Sequence, residues 1–128
     1  MSAKETEYIP GVCNINKAEI AKRRMVGHVG LAIFVIALLA LLVGDVNRWY
    51  RIILFLPSLM SASGYLQARN QFCTGYARAG KQNAAPGSTT ASVVNDEAAR
   101  ANDKSKAKSM NLQVIYIALI VLVITLFL

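Results

Sequence analysis

The chain has 128 residues, 55% of them hydrophobic, and a mean hydropathy of +0.40. The apolar residues fall in blocks, which leaves too little chain for a separate soluble core. The formal charge is +7, from 14 Lys and Arg against 7 Asp and Glu. It does not point to nucleic acid, because the cations flank the apolar blocks and no aromatic–basic interleaving accompanies them.

Residues 1–24 are polar and read as an N-terminal segment, with Pro10-Gly11 as a turn signal. No cleavable leader is expected: the first apolar run is too long for one and lacks a small-residue cleavage site. Cys13 has no hydrophobic segment before it, so it does not read as a lipid-modified cysteine. Three greasy stretches follow: Met25–Val43, Trp49–Leu66 and Leu112–Leu128. Each approaches the roughly 20 residues a helix needs to cross a bilayer, where backbone groups must pair within the segment. The predicted fold is therefore an all-α membrane protein with three transmembrane helices. Residues 25–66 form a hairpin, 67–111 a basic, partly flexible cytoplasmic connection, and 112–128 a C-terminal span.

Asn16 followed by Glu19 has capping-box spacing, so the first helix is expected to start at Lys17, before the membrane. Run to Val43, it would be about 40 Å long. Gly44-Asp45-Val46-Asn47 is a tight turn that forces an antiparallel pair. Pro57 lies within the second apolar run and is expected to kink it. Ser58, Ser61 and Gly64 after it read as a close-packing face for another helix, with a gate or binding cavity as the functional alternative. Residues 83–90 read as a flexible linker without a packing face. Residues 96–108 are rich in Ala and charge, and predict a solvated helix capped by Asn95 that can merge into the third span. Disorder is the alternative there. The third span, Leu, Ile and Val with almost no small residues, is expected to pack loosely on its own chain.

Twelve of the fourteen cations lie in 1–24 and 67–111, and only Arg48 and Arg51 in the first turn. The positive-inside rule then puts the N-terminus and the long connection in the cytoplasm and the C-terminus on the outer side. Arg48, Trp49, Tyr50 and Arg51 read as an interfacial anchor, with rings at headgroup depth and arginines snorkelling.

Candidate chemistry is sparse. Cys13 and Cys73 flank the hairpin on the same side, so they are expected to be neighbours. They read as unrelated thiols, as a redox-sensitive pair, or as part of a metal site that lacks the usual close Cys or His companions. His28, the only histidine, lies near the inner end of the first span and reads as an interfacial residue bonded to headgroups or to a carbonyl of the second helix. A proton relay would need acidic partners the spans do not have. No nucleophile elbow, zinc-protease motif, phosphate loop or dinucleotide glycine pattern occurs. No enzyme activity, cofactor or resident metal is expected.

The run Pro10-Gly11-Val12-Cys13-Asn14-Ile15, with Ala18-Glu19-Ile20 and Lys22-Arg23-Arg24, precedes the first span. Arg51 to Pro57 and Gly64 to Arg69, then Phe72-Cys73, accompany the second. Together they resemble small bacterial inner-membrane proteins built as a helical hairpin, over residues 10–80. A looser similarity is to the YgaP-like transmembrane-domain family, which also has a cysteine after a two-helix hairpin. The resemblance implies bacterial origin and a hairpin fold, and no mechanism. The sequence therefore predicts an accessory, scaffolding or assembly subunit. Its expected partners are the lipid bilayer and other membrane subunits or a second copy. A thiol redox or sensor protein using Cys13 and Cys73, or a small oligomeric pore lined by Ser58–Ser63, are the rivals.

Overall fold

The computed structural model describes residues 7–128. Helix α1 spans Lys17–Val43, a 3-10 segment Arg48–Leu54 leads into α2 at Phe55–Asn70, and a short α3 spans Thr74–Ala79. Strands β1 (Lys81–Gln82) and β2 (Ser92–Val93) pair antiparallel, and α4 runs from Glu97 to Leu126.

Helix α1 starts where the sequence implies. The Asn16 Oδ1 accepts from the Glu19 N–H at 3.1 Å. The box closes only halfway: the Asn16 N–H goes to the Asn83 carbonyl at 2.8 Å, which leaves the Glu19 carboxylate free for side-chain partners. At the far end Asp45 takes a left-handed φ of 51° and the Asn47 side chain accepts from the Trp49 N–H at 3.0 Å. The chain reverses within that turn.

Helices α1 and α4 are long and apolar enough to cross a membrane. Their most apolar windows are only 11% and 22% buried. The second greasy stretch departs from the expected single helix. It is a 3-10 segment joined to a 16-residue α-helix, and Pro57 lies in the first turn of α2, not at a mid-helix kink. Proline lacks the N–H that would bond the carbonyl four residues back, and its ring crowds that carbonyl. The chain therefore tightens to i→i+3 bonding just before it. The Ser58 hydroxyl donates to the Leu54 carbonyl at 2.8 Å across the junction.

Helices α1 and α2 touch through small residues. A Cβ on Gly64 would collide with the Gly27 backbone N and the Arg23 carbonyl, and one on Gly30 would lie 2.6 Å from the Ser61 N. Without Cβ atoms the two backbones approach to van der Waals contact.

Helix α4 is one 30-residue element, about 45 Å long. The solvated helix and the third span have merged, with Asp96 as N-cap in place of Asn95. Within 112–128 most side chains are exposed, and Val114, Ala118 and Thr125 are buried. Ala99, Asp103, Ala107, Met110, Val114, Ala118 and Thr125 are buried along one face, at the three- and four-residue steps of a helical stripe. Alanines let α4 lie close on its neighbours.

Two small clusters gather where α2 ends. Ile15, Ile20, Ala68 and Cys73 pack with Tyr76, and Phe72, Ala77, Ala107 and Met110 pack with Leu66. Together with residues 8–16 and 80–94 they form a head at one end of a shaft of helical rods.

Candidate functional site

The head is organised by three asparagines from two segments. Asn14 reaches across to Cys73: its Nδ2 donates to the Cys73 carbonyl at 3.0 Å and its Oδ1 accepts the Cys73 N–H at 2.6 Å. The Asn83 N–H donates to the Asn14 carbonyl at 2.7 Å, so residues 14–16 and 83 form a short parallel pairing. The Asn16 Nδ2 donates to the Ala85 and Ser88 carbonyls at 2.8 and 3.0 Å. The Asn83 Nδ2 donates to the same Ser88 carbonyl at 3.2 Å, while its Oδ1 is buried without a partner. Residues 83–90, expected to lack a packing face, thus wrap the start of α1, with Asn83 and Ala84 buried. The turn supplies carbonyls, and buried polar groups in α1 need acceptors.

Beside the asparagines lies a charged knot. Glu19 is buried, and its carboxylate meets Lys22 at 3.3 Å and Arg23 at 3.1 Å and accepts from the Tyr76 hydroxyl at 3.2 Å. The Arg23 guanidinium donates to the Cys73 Sγ at 3.2 Å and lies 5.8 Å from the Tyr76 ring centre. Burial, then the Glu19 charge, pushes the Tyr76 phenol above its ordinary range. Cys73 is the N-cap of α3 and its Sγ accepts from the Tyr76 N–H at 3.5 Å.

The two cysteines sit on the segments that Asn14 ties together, and both are free and buried. Their thiols have different partners. The Cys13 Sγ donates to the Ile15 carbonyl at 3.5 Å, and burial pushes its pKa up. No group of three metal-ligating side chains occurs among the described residues.

A second tether holds the N-terminal segment to α4. Asp103 is fully buried; its carboxylate accepts from the Tyr8 hydroxyl at 2.6 Å and the Gly11 N–H at 2.8 Å. Burial, then the bond to Asp103, raises the Tyr8 pKa.

His28 and the Tyr65 hydroxyl of α2 share a 2.6 Å hydrogen bond, their rings edge to face. At the opposite end Arg48, Trp49 and Tyr50 are exposed, but Arg51 is buried. In place of the snorkelling expected of it, its guanidinium donates to the Thr125 carbonyl at 2.7 Å and the Leu128 carbonyl at 3.1 Å. It closes the end of α4, where the last carbonyls lack helical partners and the dipole favours a cation. Ser58, Ser61 and Gly64 all lie on the α2 surface that α1 and α4 flank. Ser58 and Ser61 border a groove of about 300 Å³ with Leu31, Phe34, Ile117 and Val121, while Gly64 abuts the Gly27 backbone of α1.

Sequence reasoning missed Asn14, Asn83, Tyr76, Asp103 and the capping role of Arg51. For Asp103 a signal existed: it is an acid four residues from Ala99 and from Ala107, on the small-residue face of an otherwise basic helix. The asparagine pairings join residues up to 72 positions apart, and no local pattern announces them.

No family model matches the chain, and neither does any curated protein or solved structure at a significant level.

Proposed function

We propose that the protein is a small multi-pass membrane protein without catalytic function, serving as an accessory, scaffolding or assembly subunit of a larger membrane complex. One observation carries this reading. Along the shaft the large apolar side chains point outward, with Ile36, Leu56 and Tyr116 about 70% exposed, while Ser58, Ala62, Gly64 and Ala118 are buried. That inversion suits hydrocarbon as the solvent. In the head, by contrast, most polar groups are spent on one another, which suits a structural role.

In this reading the 3-10 segment and α2 form a third crossing beside α1 and α4. Arg48–Leu54 and Phe55–Asn70 together reach about 38 Å at helical rises, enough for a bilayer. The head faces the cytoplasm of a bacterial inner membrane and the Arg51 end faces outward, because the cations gather at the head and Arg51 is held by the Thr125 and Leu128 carbonyls. Co-purification in mild detergent tests the function. A stoichiometric membrane partner, or a defined oligomer of this chain, is the expected result; a lone monomer contradicts it.

A thiol-sensor reading draws on the Arg23–Cys73 contact and on the two free cysteines lying in segments that Asn14 ties together. Redox-dependent behaviour that disappears in Cys13→Ser/Cys73→Ser would favour it over the scaffold.

A further inference from the structure

We infer that the junction of α3 and α4 is a binding site for the headgroup of an anionic phospholipid. A groove of about 430 Å³ opens there, lined by Arg78, Lys104, Lys108, Asn111, Leu112 and Ile115. Three cations and an amide meet two aliphatic side chains, and the order along α4 is what gives the groove its meaning. Lys104, Lys108, Leu112 and Ile115 follow one another at steps of four, four and three, so they share a helix face. Each step of four advances about 6 Å along the axis. The face therefore passes from ammonium groups to hydrocarbon over a distance comparable to that from a lipid phosphate to the start of its acyl chains. Arg78, on α3, adds a planar, multidentate donor beside the two ammonium groups.

These cations are available. Arg78, Lys104 and Lys108 are exposed, and none shares an ion pair or hydrogen bond with a described residue. This contrasts with Arg23, Arg51 and Arg100, which are engaged by protein acceptors. A second groove of about 640 Å³ shares Lys108 and Leu112 and continues to Tyr116 and Ile117, which gives an acyl chain a path along α4. Charge complementarity selects an anionic headgroup, and the apolar continuation selects a lipid over a soluble phosphate. The proposal rests on α4 crossing the membrane.

The test reconstitutes the full chain in phosphatidylethanolamine vesicles with and without phosphatidylglycerol, extracts it in mild detergent, and reads retained lipid by native mass spectrometry. Alkaline carbonate extraction of the same vesicles reports membrane integration separately. Wild type should retain phosphatidylglycerol. The variant Arg78→Gln/Lys104→Gln/Lys108→Gln should retain about tenfold less, since each cation contributes to anionic-lipid attraction. A control losing the same charge elsewhere, Lys17→Gln/Arg69→Gln/Lys106→Gln, should retain it like wild type. Equal loss in both variants would mean diffuse attraction and overturn the site. Displacement of the lipid by soluble glycerol phosphate would overturn the lipid as occupant. Integration without retained lipid defeats this proposal alone, whereas failure to integrate defeats the membrane reading beneath it.

Discussion

The head and the shaft obey opposite rules. In the head, Phe72, Ile15 and Met110 are buried and the polar backbone is closed by Asn14, Asn16 and Asn83, as in a water-soluble protein. In the shaft, serine, glycine and alanine are inside while most isoleucines, leucines and valines are outside, Leu54 and Val114 being buried exceptions. In the proposed membrane setting the solvent sets the difference. Water rewards the burial of hydrocarbon, whereas lipid is indifferent to it and rewards close backbone approach. The two regions should therefore fail differently when mutated.

The largest effect is expected in the shaft from added volume. Gly64→Val places side-chain carbons on the backbone of α1, beyond the usual overpacking cost of about 1–3 kcal/mol, because backbone cannot swing aside. Thermal unfolding in detergent should show the hairpin lost; a wild-type melting profile would mean the helices do not meet there. In the head the damaging change is loss of a polar partner. Asn14→Ala removes the acceptor of the buried Cys73 N–H, at about 1–3 kcal/mol. Proteolysis should then open residues 71–90 before the shaft melts, and simultaneous melting would deny that the two regions are distinct.

Smaller effects sharpen the boundary. Arg51→Ala should cost about 2 kcal/mol, as expected for charge-assisted hydrogen bonds. Faster amide exchange should be confined to the last turns of α4; unchanged exchange would remove Arg51 as a cap. Tyr8→Phe should cost about 1 kcal/mol and loosen the N-terminal segment from α4. The same tether should weaken in alkali. The folded-state pKa of Tyr8 lies above its unfolded value, so its contribution is complete below about pH 10 and is lost as pH rises through the folded value. Limited proteolysis of the N-terminal segment against pH reads this directly, and Tyr8→Phe should flatten the profile.

Legibility in the sequence divided along the same line. The ends of α1, the tight turn at Gly44–Asn47 and the apolar character of α1 and α4 depend on neighbours in sequence, so capping spacing and hydropathy revealed them. The start of α2 is not legible because a proline within an apolar run signals a mid-helix kink, while the local 3-10 winding before Pro57 removes the clash. The stripe Ala99, Ala107, Ala118 on α4 is not legible either, since alanine marks close packing only when the facing helix is known. Arg51 and Asp103 were hidden for a related reason: each finds its partners across more than 70 residues of chain. The small residues at Ser58, Ser61 and Gly64 were legible, but not their counterparts Gly27 and Gly30 on α1.

The account depends on the shaft lying in lipid with the head and the Arg51 end on opposite faces. Protease protection of short tags at the two chain ends, in sealed vesicles of known orientation, tests it most directly. The expected result is cleavage of the N-terminal tag only from the cytoplasmic side and of the C-terminal tag only from the other. Both tags cut from one side, or a protein released by alkaline carbonate, would contradict it.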